Sequence, residues 1–438
     1  MKKYKLGDIA DVIGGVTFQP SDIREEGIRI LRGGNIQSQT IITKENDVFL
    51  PLNYTNQDNQ LRMGDTILVA SSGSVDVLGK AATCFKDYPN TQIGAFLRII
   101  RPKKECYSML ISIALNSPHF ARYIKSQAKG TSINNITLTH LKEYEICCPE
   151  DFSLISDLYL HIGRKIELNR AINHNLEAMV KQLYDYWFLQ FDFPDENGKP
   201  YKSSGGKMVW NEKFKREIPV SWEAKLVNDI AEVFNGATPS TADEQNYGGN
   251  VVWITPKDLS DQKQKFVYHG ERNISQMGYT SCSTHLLPIN AILMSSRAPI
   301  GLLAIAKKEL CTNQGFKNFV PKEESMAAYM YYYLQTHIRQ IEQLGTGTTF
   351  KEVSREDILK FPILKPCDEV LNLWEKKVTA INDKQLELQK ENENLTKLRD
   401  ELLPLLMNGQ VSVNYDLLEC YRLYRGINAV SLFVGIAG

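Results

Sequence analysis

The chain has 438 residues, 43% of them hydrophobic and 23% charged, values ordinary for globular domains in water. That length predicts roughly two to four domains, each large enough for its own core. Lysine plus arginine and aspartate plus glutamate number 51 each, so overall charge gives no support for a nucleic-acid partner and leaves a local basic face open. No stretch reaches the roughly 18–20 apolar residues of a membrane span, and MKKYKLGDIAD has no apolar core for a signal peptide. The eight cysteines, at 84, 106, 147, 148, 282, 311, 367 and 420, form no C-x-x-C pair. They read as free, buried thiols of a reducing cytoplasm.

Taken in chain order, the sequence repeats itself. Leu6–Phe18 (LGDIADVIGGVTF) returns as Leu226–Pro239 (LVNDIAEVFNGATP), with Asp8 against Asp229, Ile9 against Ile230, Gly15 against Gly236 and Thr17 against Thr238. Ile28–Ile36 (IRILRGGNI) parallels Val251–Leu259 (VVWITPKDL), and Asp65–Ser74 (DTILVASSGS) parallels Asn290–Pro299 (NAILMSSRAP). Thr91–Phe96 (TQIGAF) parallels Thr312–Lys317 (TNQGFK), and Gly130–Pro149 parallels Gly347–Pro366. A period of about 220 residues is far beyond the roughly 20–50 of solenoid repeats, so this is a duplicated domain. The β-branched runs Thr66–Ala70 and Ala291–Ser295 predict strands. Met109–Lys129 and Met326–Leu344 have helical spacing.

Each half ends in a long helix. In the first, Ile162, Ile166, Asn169, Asn173, Leu176, Val180 and Leu183 step by threes and fours. In the second, Ile381, Gln385, Leu388, Asn392, Leu395 and Leu402 do the same. A seam sustained for about four heptads predicts a coiled coil, and its amides are the kind that fix register and partner. Pairing the two helices in opposite directions would relate the halves by a pseudo-twofold axis. Asp192–Gly206, rich in turn formers and without periodicity, predicts a linker.

Catalytic motifs are sparse. Gly73–Ala81 has five residues between its glycines and Ala after Lys80, where a phosphate loop needs four residues and Ser or Thr. Pro194-Asp195 with Glu223-Ala224-Lys225 fits a loose magnesium-nuclease pattern, but that pattern is short and falls in the linker. The histidines are dispersed, with no H-E-x-x-H, and no metal site is expected. What remains is a set of polar and cationic residues at the strand–turn segments. In half one these are Arg32, Asn35, Ser71, Ser72, Ser74 and Lys80. In half two they are Lys257, Ser295, Ser296, Arg297, Asn313, Lys317, Thr346 and Thr348. Arg, Asn and Lys pair with guanine and adenine edges, and Ser and Thr serve phosphates and bases alike. Each also occurs at ordinary turns, so the reading rests on the set.

These segments, in this order and once per half, resemble the specificity subunits of type I restriction–modification systems. The resemblance runs over about Lys5–Val413. Its carriers are IRILRGGNI, GDTILVASSGS with the following LGKAA, MSSRAPIGLLAIA, CTNQGFKNFVP, FDFPDENGKPYKSSGG and ELLPLLMNGQV. It implies two target-recognition domains of mixed α/β (α+β) class, held apart by an antiparallel coiled coil with pseudo-twofold symmetry. The expected boundaries are 1–150 and 223–367 for the domains, 151–191 and 368–408 for the helices, 192–222 for the linker and 409–438 for a tail of unknown role. Such a chain is expected to be non-catalytic. Each domain would read one half of a split double-stranded DNA site. Two methyltransferase subunits would dock on the coiled coil, and two restriction–translocase subunits would join outside them. S-adenosylmethionine, ATP and Mg²⁺ would belong to those partners, and the complex would work in a bacterial or archaeal cytoplasm, at the nucleoid. A helix over about 153–189 would be roughly 55 Å long, about one and a half turns of B-DNA. Residues 414–438 have no counterpart in half one. Two other readings stay open: a coiled-coil scaffold whose repeated domains bind protein, and a self-sufficient Mg²⁺-dependent nuclease.

Overall fold

The computed structural model describes residues 2–37, 39–44, 46–74, 76–127, 134–148, 152–262, 264–297, 299–347 and 351–407, without the side chains of Leu154 and 402–407. Thr348, the Leu402 side chain and the tail at 414–438 lie outside the described residues. The chain forms two compact units, Met1–Arg170 with Lys390–Gly438, and Ala171–Gln389. Each of the long helices gives residues to both units.

Unit 1 is built on a four-stranded antiparallel sheet in the order Ala10–Gly14, Leu97–Pro102, Thr66–Val69, Ala81–Thr83. A second sheet places Ile28–Leu31 between Thr91–Ile93, parallel to it, and Val48–Leu50, antiparallel. Lys2–Lys5 pairs with Glu145–Cys148. The strands are short apolar runs, and Ile67, Leu68, Leu97, Ile99 and Ile100 are fully buried. The helix expected over 109–129 is two helices, Ser108–Leu115 and Pro118–Gln127. Pro118 explains the break. It disfavours helical backbone at Ser117 and pre-sets the first turn of the next helix, while the Ser117 hydroxyl accepts from the Phe120 amide at 3.1 Å.

Unit 2 repeats this plan. Its main sheet runs Ala231–Asn235, Phe316–Pro321, Ile292–Ser296, Ile300–Ala306, Phe266–Val267. A second sheet holds Tyr247–Ile254 between Asn273–Ile274 and Cys311–Thr312, and Glu223–Leu226 pairs with Pro362–Lys365. Its helical run is also split, into Met326–Thr336 and Ile338–Leu344. The hinge is His337, which leaves helical backbone, stacks on Tyr333 at 4.0 Å and faces the Tyr333 carbonyl at 2.8 Å. One repeated glycine has a shared cause. A Cβ at Gly15 would lie 2.1 Å from the Gly94 carbonyl, and one at Gly236 2.0 Å from that of Asn313. In both units the next residue's amide bonds across that close approach, Val16 to Ile93 and Ala237 to Thr312.

The linker expected over 192–222 is folded into unit 2. Met208–Asn211 and Arg216–Pro219 form a hairpin, and Phe191, Phe193 and Trp222 are buried. Phe193 stacks between Tyr201 and Trp222 at 4.6 and 5.2 Å. The turn formers of DENGKPYKSSGG shape the path, but the aromatic side chains fix the segment, each ring pair adding about 0.5–1.5 kcal/mol beyond area burial. The thiols are also less uniform than expected. Cys84 and Cys311 are buried, whereas Cys106 and Cys147 are exposed. No helix among the described residues is long and apolar enough to cross a membrane.

The first long helix spans Phe152–Tyr184, with one π-turn at Asp185–Leu189, and the second spans Asp368–Met407. In unit 1 their segments meet through Asn169, which donates to Glu391 at 2.7 Å and to Asn392 at 3.0 Å, and through Lys165–Glu391 at 3.3 Å. Asn392 in turn reaches the Ile166 carbonyl at 3.5 Å. In unit 2 Asn173 donates to the Gln385 carbonyl, and the Gln385 amide returns a bond to the Asn173 carbonyl, both 3.3 Å. Ile162, Ile166, Asn169, Val180, Gln385 and Leu388 are buried, and Asn173, Leu176, Leu183, Ile381, Asn392 and Leu395 are half-buried.

Candidate nucleic-acid interface

Strand pairing aligns the two units more tightly than the sequence segments do. Gly14 pairs with Arg98 in unit 1, and Asn235 with Lys317 in unit 2. Since Ala10–Gly14 and Ala231–Asn235 are matched strands, Arg98 and Lys317 occupy the same place. The sequence had set Lys317 against Phe96. Farther along, Leu97 pairs with Val69 and Phe316 with Ser295. Beyond these, the Ile136 amide donates to the Ala70 carbonyl at 2.8 Å and the Val353 amide to that of Ser296 at 3.1 Å. The counterpart of Ser71 is thus Arg297, one position from the sequence pairing. A one-residue slip matters because it moves every side chain of a strand to the other face.

This register exposes a short ladder in each unit, at the end of the central strand. In unit 1, Ser71–Ser72 pairs antiparallel with Asn134–Asn135, Asn135 opposite Ser71. In unit 2, Arg297 bridges Glu352, and Glu352 also pairs with Thr346 through both backbone bonds, at 3.0 and 2.9 Å. Two residues after Asn135 and Glu352 the chain enters a short helix, each with a hydroxyl cap. Thr137 accepts from the His140 amide and Ser354 from that of Asp357. The caps satisfy amides that the helix leaves open and so hold the ladder residues in place.

The candidate residues divide between ladder and scaffold. Asn35 is buried and fully engaged. Its Oδ1 accepts from the Arg32 amide at 2.8 Å, and its Nδ2 donates to the Ile42 carbonyl and to Asp47 at 2.8 and 2.7 Å. Asp258 in unit 2 accepts from the Thr255 amide in the same way, at 2.7 Å. Both are turn locks, so the assignment of Asn35 to DNA contact is corrected: it has no free group to offer. Ser295 is corrected likewise, since its buried hydroxyl donates to the Pro299 carbonyl and accepts from the Leu302 amide. Asn313 holds its own turn through the Gly315 amide at 2.9 Å. Lys257 is exposed and paired with Glu271 at 2.9 Å. Arg32, Ser74 and Lys80 are exposed, and Ser71 and Ser72 half-buried.

Three of the unit 2 candidates converge on Glu352, a residue the sequence reading did not single out. Arg297 lies 3.8 Å from its carboxylate and Lys317 3.3 Å, while Thr346 is its backbone partner. Ser296 is fully buried, and its Oγ lies 3.4 Å from the Lys317 ammonium. The Lys317 side chain is 7% exposed, against 41% for Glu352 and 37% for Arg297. The ammonium thus sits beneath the surface with two long hydrogen bonds, both weaker than the roughly 2.7–2.9 Å of a strong charged pair. In unit 1, Arg98 is half-buried and gives Nη1 to the Ala95 and Leu97 carbonyls, both at 2.7 Å. Nearby, the Phe96 carbonyl accepts from the Ala70 and Ser71 amides at 2.9 and 3.1 Å, yet the residue is 66% exposed. Asn135 is exposed. The signal for Asn135 and Glu352 was present: each precedes by two positions the Thr or Ser that caps a helix in the repeated segment.

The nuclease pattern is taken up structurally. Asp195 accepts from the Asn197 and Lys199 amides at 2.9 and 2.8 Å, and Glu223 pairs with Lys225 at 2.7 Å. Among the described residues no group of three or more His, Cys, Asp or Glu could hold a metal ion.

The family model for the type I restriction modification DNA specificity domain matches residues 1–178 and 219–391. The chain belongs to this family. It is 37% identical over 202 residues to the MjaIX specificity subunit of Methanocaldococcus jannaschii, covering 45% of this chain and 47% of that protein. It therefore spans about half the length of that relative. It is 25% identical over 380 residues to the HindI specificity subunit of Haemophilus influenzae, covering 74% and 82%. In fold it is similar to a type I restriction–modification S subunit from M. genitalium, with a TM-score of 0.54 at 15% identity, over 92% of this chain and 94% of that one. Family and fold agree with the mixed α+β architecture of two units. The family is defined by DNA specificity, not by a catalytic centre.

Proposed function

We propose that this chain supplies the DNA address of a type I restriction–modification complex, each unit reading one half of a bipartite, asymmetric duplex site. The observation that carries this is the repeated ladder. One framework, fixed by the same strand pairing and the same hydroxyl cap, presents Asn135, Ser71 and Arg98 in unit 1 and Glu352, Arg297 and Lys317 in unit 2. A duplicated scaffold with different side chains at its matched surface suits a target whose halves differ. In this reading the two long helices form an antiparallel coiled coil that relates the units by a pseudo-twofold axis and sets the spacer. The amide pairs of Asn169 with Asn392 and of Asn173 with Gln385 support that pairing and its register.

The chain would do no chemistry. Two methyltransferase subunits would dock along the helices and carry S-adenosylmethionine, and two restriction–translocase subunits would carry ATP and Mg²⁺. The complex would act in the cytoplasm, on nucleoid DNA. Phosphate contacts by the exposed Arg32 and Lys80, among others, would supply most of the affinity, so binding would weaken steeply with salt even though net charge is zero. The test is to map methylated bases in cells carrying this chain with its methyltransferase subunit. A two-part motif with a fixed spacer is expected. A continuous palindromic motif, or no motif, would overturn the reading.

A further inference from the structure

The side chains on the two ladders carry different hydrogen-bonding codes. On the proposed DNA-reading function, which this inference deepens, those codes name base pairs. We propose that Arg297 and Glu352 of unit 2 read a G·C pair in the major groove, and that Asn135 and Phe96 of unit 1 read an A·T pair.

The unit 2 pair sets donors beside an acceptor. Arg297 offers parallel N–H groups, and Glu352, opposite it on the ladder and 3.8 Å away, can only accept. In the major groove guanine shows two acceptors, O6 and N7, and its cytosine partner shows one amine. Guanidinium on guanine with carboxylate on cytosine satisfies every group. On A·T the same side chains would set the carboxylate against thymine O4 and the guanidinium against the adenine amine, which mismatches both. Lys317, nearly buried and bonded only at 3.3 and 3.4 Å, keeps the cluster net positive. That offsets the repulsion Glu352 would otherwise meet near phosphates.

The unit 1 ladder carries no carboxylate. Asn135, opposite Ser71 and exposed, has one donor end and one acceptor end, the pattern that matches adenine N7 and N6. The Phe96 backbone is held by its carbonyl to the Ala70 and Ser71 amides, and the residue is 66% exposed at the same ladder. In unit 2 the matching carbonyl, which accepts from the Ser296 amide, belongs to Gly315. An exposed aromatic side chain on the ladder that also carries the amide suits the methyl group that thymine alone presents in the major groove. Arg98, the counterpart of Lys317, keeps this ladder positive too, bound to two carbonyls and paired with no carboxylate among the described residues.

The test selects sites from a randomised duplex DNA pool with the full-length chain assembled with its methyltransferase subunit. Wild type is expected to select a G·C pair in one half and an A·T pair in the other. Arg297→Gln and Glu352→Gln are expected to relax the G·C position at least about fivefold and leave the other half unchanged. Asn135→Ala and Phe96→Ala are expected to relax only the A·T position. Arg297→Lys preserves charge and size and loses the paired donors, so it serves if another variant fails to fold, and it is expected to relax the same G·C position. A wild-type motif with unchanged preferences in these variants would overturn the base assignment and leave the function standing. A wild type that selects no motif would overturn both.

Discussion

The two units hold their long-helix segments by different chemistry. In unit 1 the buried link is a chain of hydroxyls, Thr83 to Ser112, Ser112 to Tyr159 at 3.1 Å, and Tyr159 to Gln39 at 3.2 Å, with Phe85 packed on Gly163 and a longer ion pair, Lys86–Glu167 at 3.7 Å, beside it. In unit 2 the link is an ammonium. Lys265 reaches Glu177 at 3.0 Å, Asn382 at 2.8 Å and Gln385 at 3.1 Å, bonds the Tyr332 hydroxyl, and lies over the Tyr332 ring at 4.8 Å. Burial pushes the Lys265 pKa below its usual value, against the pull of Glu177. One duplicated scaffold therefore tolerates a neutral solution and an ionic solution at corresponding tasks, as it does on the ladders. The plan of the fold constrains backbone and apolar positions, while polar chemistry is free to diverge where its partners diverge with it.

Breaking the ionic anchor is expected to cost most. Glu177→Ala leaves the Lys265 ammonium buried without its carboxylate, a loss of about 3–5 kcal/mol. The double variant Lys265→Met with Glu177→Leu is expected to recover most of that, because apolar replacement of a whole buried pair is near neutral. All five tryptophans lie in unit 2, at 187, 210, 222, 253 and 374, so denaturant unfolding followed by tryptophan fluorescence reads this unit alone. Equal losses in the single and double variants would contradict the ionic account.

The neutral anchor is tested by Gly163→Ala. A Cβ there would lie 2.3 Å from the Phe85 ring, and overpacking of that kind costs about 1–3 kcal/mol. Hydrogen exchange of unit 1 amides is expected to rise, and Phe85→Leu in the same chain to reverse part of the loss. Tyr159→Phe, which removes only the hydroxyl bonds, is expected to cost about 1 kcal/mol, less than Glu177→Ala. A larger cost for Tyr159→Phe would reverse the comparison.

The smallest effect is acid sensitivity at the unit 2 helix hinge. Burial holds the His337 pKa below its ordinary 6.5, with Arg216 acting in the same direction and the Tyr333 carbonyl opposing. Below about pH 6.5 the unfolded chain takes up this proton before the folded one does, so stability falls as pH drops from about 6.5 toward the folded value, and is level above about pH 6.5 and again below the folded value. His337→Phe is expected to remove that slope from the tryptophan-detected unfolding of unit 2. An unchanged slope would place the acid sensitivity elsewhere.

Much of this fold was legible in the sequence, for identifiable reasons. The repeat was visible because Gly15 and Gly236 both sit where a Cβ would strike a carbonyl, and because matched strands must stay apolar. The long helices were visible because their spacing extends over 33 and 40 residues. The register of the ladders was not. The Gly94–Leu97 and Asn313–Phe316 turns match residue for residue, each closed by an amide that returns to the first carbonyl, but the sequence alignment put Gly94 on Gly315, two positions off. Reading straight across therefore set Phe96 against Lys317, and strand pairing restored Arg98. Asn35 and Ser295 looked like contacts because a turn lock and a base reader use the same side chains. Lys265 and Glu177, 88 positions apart, share no local pattern. The folded linker was hidden because turn formers outnumber the aromatics that anchor it.

The central claim is that two units on one scaffold carry two separate addresses. Its most direct test replaces residues 1–150 with the corresponding segment of another family member and maps methylated bases with the same methyltransferase subunit. The account predicts that one half of the motif changes while the other half and the spacer are kept. A change in both halves, or in neither, would contradict it.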